Sequence, residues 1–137
     1  VIVAGYTDNM DQFLKTNPGL SSRFDKTFFF NDYTPDELLS IAVSAIKSDG
    51  YKMTTAASSA LKNYLTDLYN GRDKHFGNAR TVKSLTQEII RRQNLRMSTA
   101  TEENILTKDR TTIDMVDISD VIHFKAGEKP VRASIGF

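Results

Sequence analysis

Thr34-Pro35-Asp36-Glu37-Leu38-Leu39-Ser40-Ile41-Ala42-Val43-Ser44-Ala45-Ile46 decides the fold of this chain. Thr34 carries the hydroxyl of an N-cap. Pro35 suits the first helical position, where an N–H would have no intrahelical partner, and Glu37 can reach back to the Thr34 amide. Leu38, Ile41, Ala42, Ala45 and Ile46 recur at helical spacing, and Gly50 supplies a stop. The pattern predicts an amphipathic helix that must bury one face against partners. Two such partners follow. Thr54 or Thr55 starts a helix with Ala57, Ala60, Leu61, Tyr64, Leu65 and Leu68 on one stripe, broken at Asn70-Gly71. The next runs from about Ala79 to Met97 and buries Val82, Leu85 and Ile89.

Upstream, Val1 to Gly5 and Lys26 to Phe30 are short apolar runs that read as two strands of a sheet. Between them, Thr7 or Asp8 caps a helix with Met10, Phe13 and Leu14 on one face, ended by Asn17-Pro18-Gly19. Downstream, Ser98 to Asn104 reads as a loop, Thr112 to Val116 as extended and Asp117 to Phe124 as a short helix. The expected fold is mainly α with a remnant of an α/β sheet: two strands and one helix, then a three- to four-helix bundle. The domain reading is 1–33 for the sheet remnant, 34–125 for the helical domain and 126–137 for a mobile tail.

Composition narrows the function. A net charge of +1 argues against a dominant nucleic-acid-binding face. Without cysteine there is neither a disulfide framework nor a thiolate metal site. His75 and His123 lie far apart and read as surface or interface residues, so no metal site is expected. No apolar run approaches the roughly 18 residues of a membrane span. The chain starts without Met on a segment of buried-strand type, so it is expected to be a piece of a longer protein.

Two arginines are candidates for chemistry. Arg80 follows Phe76-Gly77-Asn78-Ala79, and Asn78 as an N-cap would place it in the first turn of its helix. There the helix dipole and free amides favour an anion, and a guanidinium adds forked donors. Taken alone, the same residue reads as a surface arginine paired with a carboxylate. Arg23 closes the loop Asn17-Pro18-Gly19-Leu20-Ser21-Ser22-Arg23-Phe24 and could reach into a neighbour's site, or simply bond local carbonyls. Asp8 and Asp11 share a helical face and read as capping and dipole residues. Lys83, Arg91, Arg92 and Arg96 read as a basic outer face, with Glu88 placed to pair with Arg92. That face is expected to be solvated or intersubunit, with an acidic partner or nucleic acid as the alternative.

The joint pattern from Val1 to Met97 resembles the CbxX/CfxQ group of AAA+ ATPases, which includes red-type Rubisco activases and sporulation proteins of the stage V K type. It is carried by Val3-Ala4-Gly5-Tyr6 with Met10, Asn17-Pro18-Gly19-Leu20, Ser22-Arg23-Phe24, Asp32-Tyr33-Thr34 with Glu37-Leu38, Phe76-Gly77-Asn78-Ala79-Arg80, and Arg91-Arg92-Gln93 to Arg96-Met97. Ile135-Gly136-Phe137 also looks like natural chain ends in this group. The resemblance implies that Arg23 is the arginine finger acting in trans on ATP of the adjacent subunit. It implies that Arg80 is the second sensor, touching ATP in cis from the lid, with Gly77 and Asn78 in the same ATP-binding segment. Thr7 and Asn9 are polar candidates for the first sensor. Where the family often has a second arginine two residues before the finger, this chain has Ser21.

The Gly-x-x-x-x-Gly-Lys-Ser/Thr loop and the acidic strand end that holds magnesium are missing from the sequence. ATP and magnesium are therefore expected in the parent protein, and the chain alone is expected neither to hydrolyse ATP nor to bind it tightly. The resemblance further implies a ring, a hexamer, that remodels a protein substrate; the protein is expected to be cytoplasmic, with no membrane partner and with nucleic acid not favoured as a partner. The alternatives are a non-catalytic binding or assembly module that uses the basic helix 79–97, or a catalytically dead subunit.

Overall fold

The computed structural model describes residues 1–73, 76–99, 115–121 and 124. The expected loop beyond Thr99, the extended stretch before Met115, the tail at 126–137 and both histidines lie outside the described residues. The chain divides into two compact units, Val1–Asp32 and the part from Tyr33 onward.

The first unit holds α1 (Thr7–Thr16) and α2 (Pro18–Ser21). Neither Thr7 nor Asp8 caps α1: Tyr6 occupies the N-cap position, and its carbonyl accepts the Met10 amide at 2.9 Å. The C-terminal carbonyls of α1 are closed by side chains instead, with the Thr16 hydroxyl donating to Gln12 O at 2.8 Å and Asn17 Nδ2 to Phe13 O at 3.1 Å. The two strands read at Val1–Gly5 and Lys26–Phe30 do not form. Their β-branched and aromatic residues have the composition of a buried strand, but a strand exists only as part of a hydrogen-bonded ladder. None of the described residues pairs with them. Ile2 and Phe30 are consequently 96% and 95% exposed, a burial state opposite to the one their sequence implies.

The second unit is the helical bundle. Its first helix, α3 (Pro35–Ser48), begins with the expected capping box: the Glu37 amide donates to Thr34 Oγ1, and Glu37 Oε2 accepts the Thr34 amide at 2.8 Å. The helix stops in a Schellman arrangement around Gly50 at φ +87°. There the Tyr51 amide bonds Ile46 O and the Gly50 amide bonds Lys47 O, both at 3.0 Å. A two-residue strand, β1 (Lys52–Met53), leads to Thr54, whose hydroxyl caps α4 (Thr55–Asn70) by accepting from the Ala57 amide. The last long helix, α5 (Ala79–Thr99), runs two residues past Met97 and converts Ser98 from loop to helix.

Leu38, Ala42 and Ile46 of α3, Ala57, Leu61, Tyr64 and Leu65 of α4, and Val82, Leu85 and Ile89 of α5 form one core. Full burial of a leucine or isoleucine contributes roughly 1.5–3 kcal/mol, so this layer supplies most of the stabilisation. The bundle is closed by β2 (Met115–Val116), which lies parallel to β1 in the register Lys52↔Met115 and Met53↔Val116. Parallel pairing requires a long crossover, here containing α4 and α5. Val116 and Val121 complete the core, on either side of a 3₁₀ turn at Ile118–Asp120. Of the short helix expected at Asp117 to Phe124, the described residues show the 3₁₀ turn Ile118–Asp120, and 122 and 123 lie outside the described residues. Among the described residues, no helix is long and apolar enough to cross a membrane.

Candidate functional site

The start of α5 is built around a tight turn. Gly77 O accepts the Arg80 amide at 3.0 Å, and Asn78 O accepts the Val82 amide at 3.3 Å. Asn78 has φ +53°, the left-handed region that asparagine tolerates better than most residues, and is the one non-glycine residue with positive φ among the described residues. A Cβ on Gly77 would lie 2.5 Å from Thr81 Oγ1, so the turn leaves no room for a side chain there. The Asn78 side chain reaches across the bundle, and its Oδ1 accepts the Tyr33 amide at 3.0 Å. Asn78 stands at the expected N-cap position, and its carboxamide oxygen ties the start of α5 to the residue before the capping box of α3.

This turn sets Arg80 in the first turn of α5, between half-buried Phe76, packed on the core, and fully buried Val82. Arg80 itself is exposed, and the first turn of α5 carries no acidic residue. Among the described residues its guanidinium makes no hydrogen bond or ion pair. The surface-pair reading therefore has no carboxylate to support it here. An exposed guanidinium at the positive end of a helix dipole is suited to an anionic oxygen.

Arg23, Thr7 and Asn9 belong to the first unit, whereas Gly77, Asn78 and Arg80 share one turn of the second. Arg23 is exposed and follows α2, with its amide bonded to Leu20 O at 2.9 Å. The loop holding it is stiffened from within: Ser21 Oγ donates to Pro18 O and Ser22 Oγ to Gly19 O. Thr7 and Asn9 are exposed residues of the first turn of α1. Among the described residues, no group of three metal-binding side chains gathers at any point.

The basic face of α5 is largely neutralised from within. Arg91 makes a bidentate pair with Glu88 (2.8 and 2.7 Å), and Arg92 Nε bonds the same carboxylate at 3.0 Å, the pairing read from the sequence. The Arg91 hydrogen bonds hold the Glu88 carboxyl below the usual carboxylate range, against the opposing effect of partial burial. Arg92 also lies over the Phe124 ring, 5.2 Å from its centroid.

Arg96, expected on the outer face, turns inward. Its Nε and Nη2 grip Asp120 at 2.9 and 3.0 Å, and Nη2 also donates to Met115 O at 3.1 Å. Asp120 is 2% exposed, and its Oδ2 further accepts the Asp117 amide. Hydrogen bonding to Asp120 raises the Arg96 pKa still further. The sequence reading missed this clasp; Asp117-Ile118-Ser119-Asp120, a turn-forming acidic cluster, was the available hint. A separate open groove of about 520 Å³ lies between the end of α3, β1 and the start of α4, lined in part by Val43, Lys47, Met53 and Ser58. It includes none of the candidate residues.

With that geometry in place, the AAA lid domain family matches residues 34–128. The chain belongs to that family, the helical C-terminal part of AAA+ modules, and the curated proteins it is similar to include ones named CfxQ homolog and CbbX. It is 36% identical over 118 residues to the CfxQ homolog of Guillardia theta, covering 86% of this chain and 40% of that protein. It is 36% identical over 118 residues to the chloroplastic ribulose bisphosphate carboxylase/oxygenase activase of Cyanidioschyzon merolae, again 86% and 40%. Against the stage V sporulation protein K of Bacillus subtilis the figures are 35% over 120 residues, 87% and 37%. The chain thus spans about 40% of the length of the curated relatives it matches.

Proposed function

We propose that this chain is the lid and arginine-finger portion of an ATP-driven AAA+ ring protein that remodels protein substrates. The observation that carries this reading is Arg80, exposed and without a partner among the described residues, at an acid-free helix start in a member of the AAA lid domain family. In the longer protein Arg80 would contact ATP phosphate of its own subunit, with Gly77 giving the turn its tightness. Arg23, on its stiffened loop, would act on ATP of the adjacent subunit; such a finger is worth about 10³ to 10⁵ in rate. Thr7 and Asn9 are the candidates for the first sensor.

ATP with magnesium would be held by the part of the protein that carries a phosphate loop, and hydrolysis supplies the free energy for remodelling. The chain alone has no such loop in its sequence and is proposed to be inactive. A finger acting in trans makes turnover depend on a ring, proposed as a cytoplasmic hexamer. One relative is named a Rubisco activase and another a sporulation protein, so the substrate is proposed only as a protein. The alternative module using the basic helix 79–97 is disfavoured, because Arg91, Arg92 and Arg96 all pair within the bundle.

The test is ATP binding by the full-length protein with Arg80→Ala, measured by titration calorimetry and steady-state turnover. A several-fold or larger weakening of ATP affinity is expected. Wild-type affinity and turnover would withdraw the sensor role.

A further inference from the structure

We infer that Asn78 is a positioning residue, which clasps the turn carrying Arg80 to the backbone where the chain passes into α3. The inference rests on the proposed role of Arg80 and adds how that residue is coupled to the rest of the lid.

Four observations carry it. The Asn78 Oδ1 bond to the Tyr33 amide spans 45 residues of sequence, so it joins two helix starts rather than decorating one. Tyr33 is the first residue of the helical unit, next to the Asp32 boundary, so what holds its amide holds the point where the chain enters that unit. The adjoining amide, Thr34, is held in turn by Glu37 Oε2 at 2.8 Å. Two consecutive backbone N–H groups are thereby fixed by side-chain acceptors, one from α5 and one from α3 itself. The left-handed backbone of Asn78, a conformation asparagine tolerates, coincides with this long-range bond.

The consequence is mechanical. Arg80 lies two residues beyond Asn78 on a turn whose Gly77 leaves no slack. A displacement of that turn when Arg80 gains or loses an anionic oxygen is carried by the carboxamide to Tyr33, at the edge of the unit. Asn78 therefore needs no contact with nucleotide to influence turnover. Its effect is on how the binding of Arg80 is converted into movement of the lid, the kind of two-position contact through which a local event is passed on.

The experiment uses three substitutions. Asn78→Gly keeps the left-handed backbone and removes the acceptor, Asn78→Asp keeps an acceptor, and Arg80→Ala removes the sensor. In this chain, amide exchange followed by NMR should show the Tyr33 amide exchanging roughly tenfold or more faster in Asn78→Gly, and near the wild-type rate in Asn78→Asp. In the full-length protein, Asn78→Gly should lower kcat for ATP about fivefold to tenfold with KM within about twofold, and Asn78→Asp should restore kcat. Arg80→Ala should instead raise KM. Unchanged Tyr33 exchange, unchanged kcat, or a rise in KM like that of Arg80→Ala would each overturn the clasp. If Arg80→Ala leaves both kcat and KM unchanged, the proposed function fails and takes the turnover role of Asn78 with it, whereas a defective Arg80→Ala beside a wild-type Asn78→Gly sinks the clasp alone.

Discussion

Replacing Arg96 by Met removes the guanidinium while keeping most of the side-chain volume, and it strands Asp120 in the bundle. Asp120 is 2% exposed and accepts two of its hydrogen bonds from Arg96, leaving only the Asp117 amide among its described partners. Breaking a buried ion pair from one side costs about 3–5 kcal/mol, because the remaining charge has neither water nor a counter-ion. The Arg96 side chain is one-third exposed, so solvent reaches part of the site and the lower end, about 3 kcal/mol, is expected. Asp120→Asn should cost less, about 1–2 kcal/mol. It leaves no buried charge, it keeps an acceptor for the Asp117 amide, and Arg96 retains Met115 O and water. The double variant should be milder than the sum of the two by about 1–2 kcal/mol. Urea unfolding followed by helical circular dichroism gives all three values. Additive single effects, or an Arg96→Met cost below about 0.5 kcal/mol, would refute a clasp that fastens β2 and the 3₁₀ turn to α5.

Two further outcomes follow from the same geometry. Arg91 holds the Glu88 carboxyl below its ordinary value of 4.5, so Glu88 contributes stability that is fully present above that pH and is lost as pH falls through its folded-state value. A Glu88→Gln variant should accordingly lose stability near neutral pH and converge with wild type in acid, read as urea midpoints across pH 3–7. Gly77→Ala would set a Cβ 2.5 Å from Thr81 Oγ1, on a β-branched side chain with little freedom to turn away. A cost of about 1–3 kcal/mol is expected from thermal unfolding, with altered exchange at the first turn of α5.

The three long helices were legible because each carries a 3.6-residue apolar period in its local sequence, to which α3 and α4 add a capping residue and a stop. The Thr34 and Glu37 capping box, the Thr54 cap and the Gly50 stop needed no knowledge of the rest of the chain. Strands were less legible, since a strand is a property of two segments. Val1–Gly5 and Lys26–Phe30 have strand composition without a partner ladder among the described residues, and the pair that does form, β1 with β2, has two residues on each side. No period-2 pattern can show in so short a run.

At the site, the first-turn position of Arg80 was readable from Asn78, the capping-type residue just before the helix. The long-range bonds were not. Asn78 to Tyr33 spans 45 residues and Arg96 to Asp120 spans 24, and nothing in local sequence says which of the five basic residues on α5 turns inward. Arg96 does so because its position faces β2 and the 3₁₀ turn, a fact of packing rather than of periodicity.

The most direct test of the ring ATPase reading is ATP turnover by the full-length protein carrying Arg23→Ala, beside Lys26→Ala as a control from the same exposed segment. Turnover should fall about 10³-fold or more with ATP binding retained, while Lys26→Ala stays near wild type. Unchanged turnover in Arg23→Ala would contradict a finger acting in trans, and with it the claim that this chain completes its neighbour's active site.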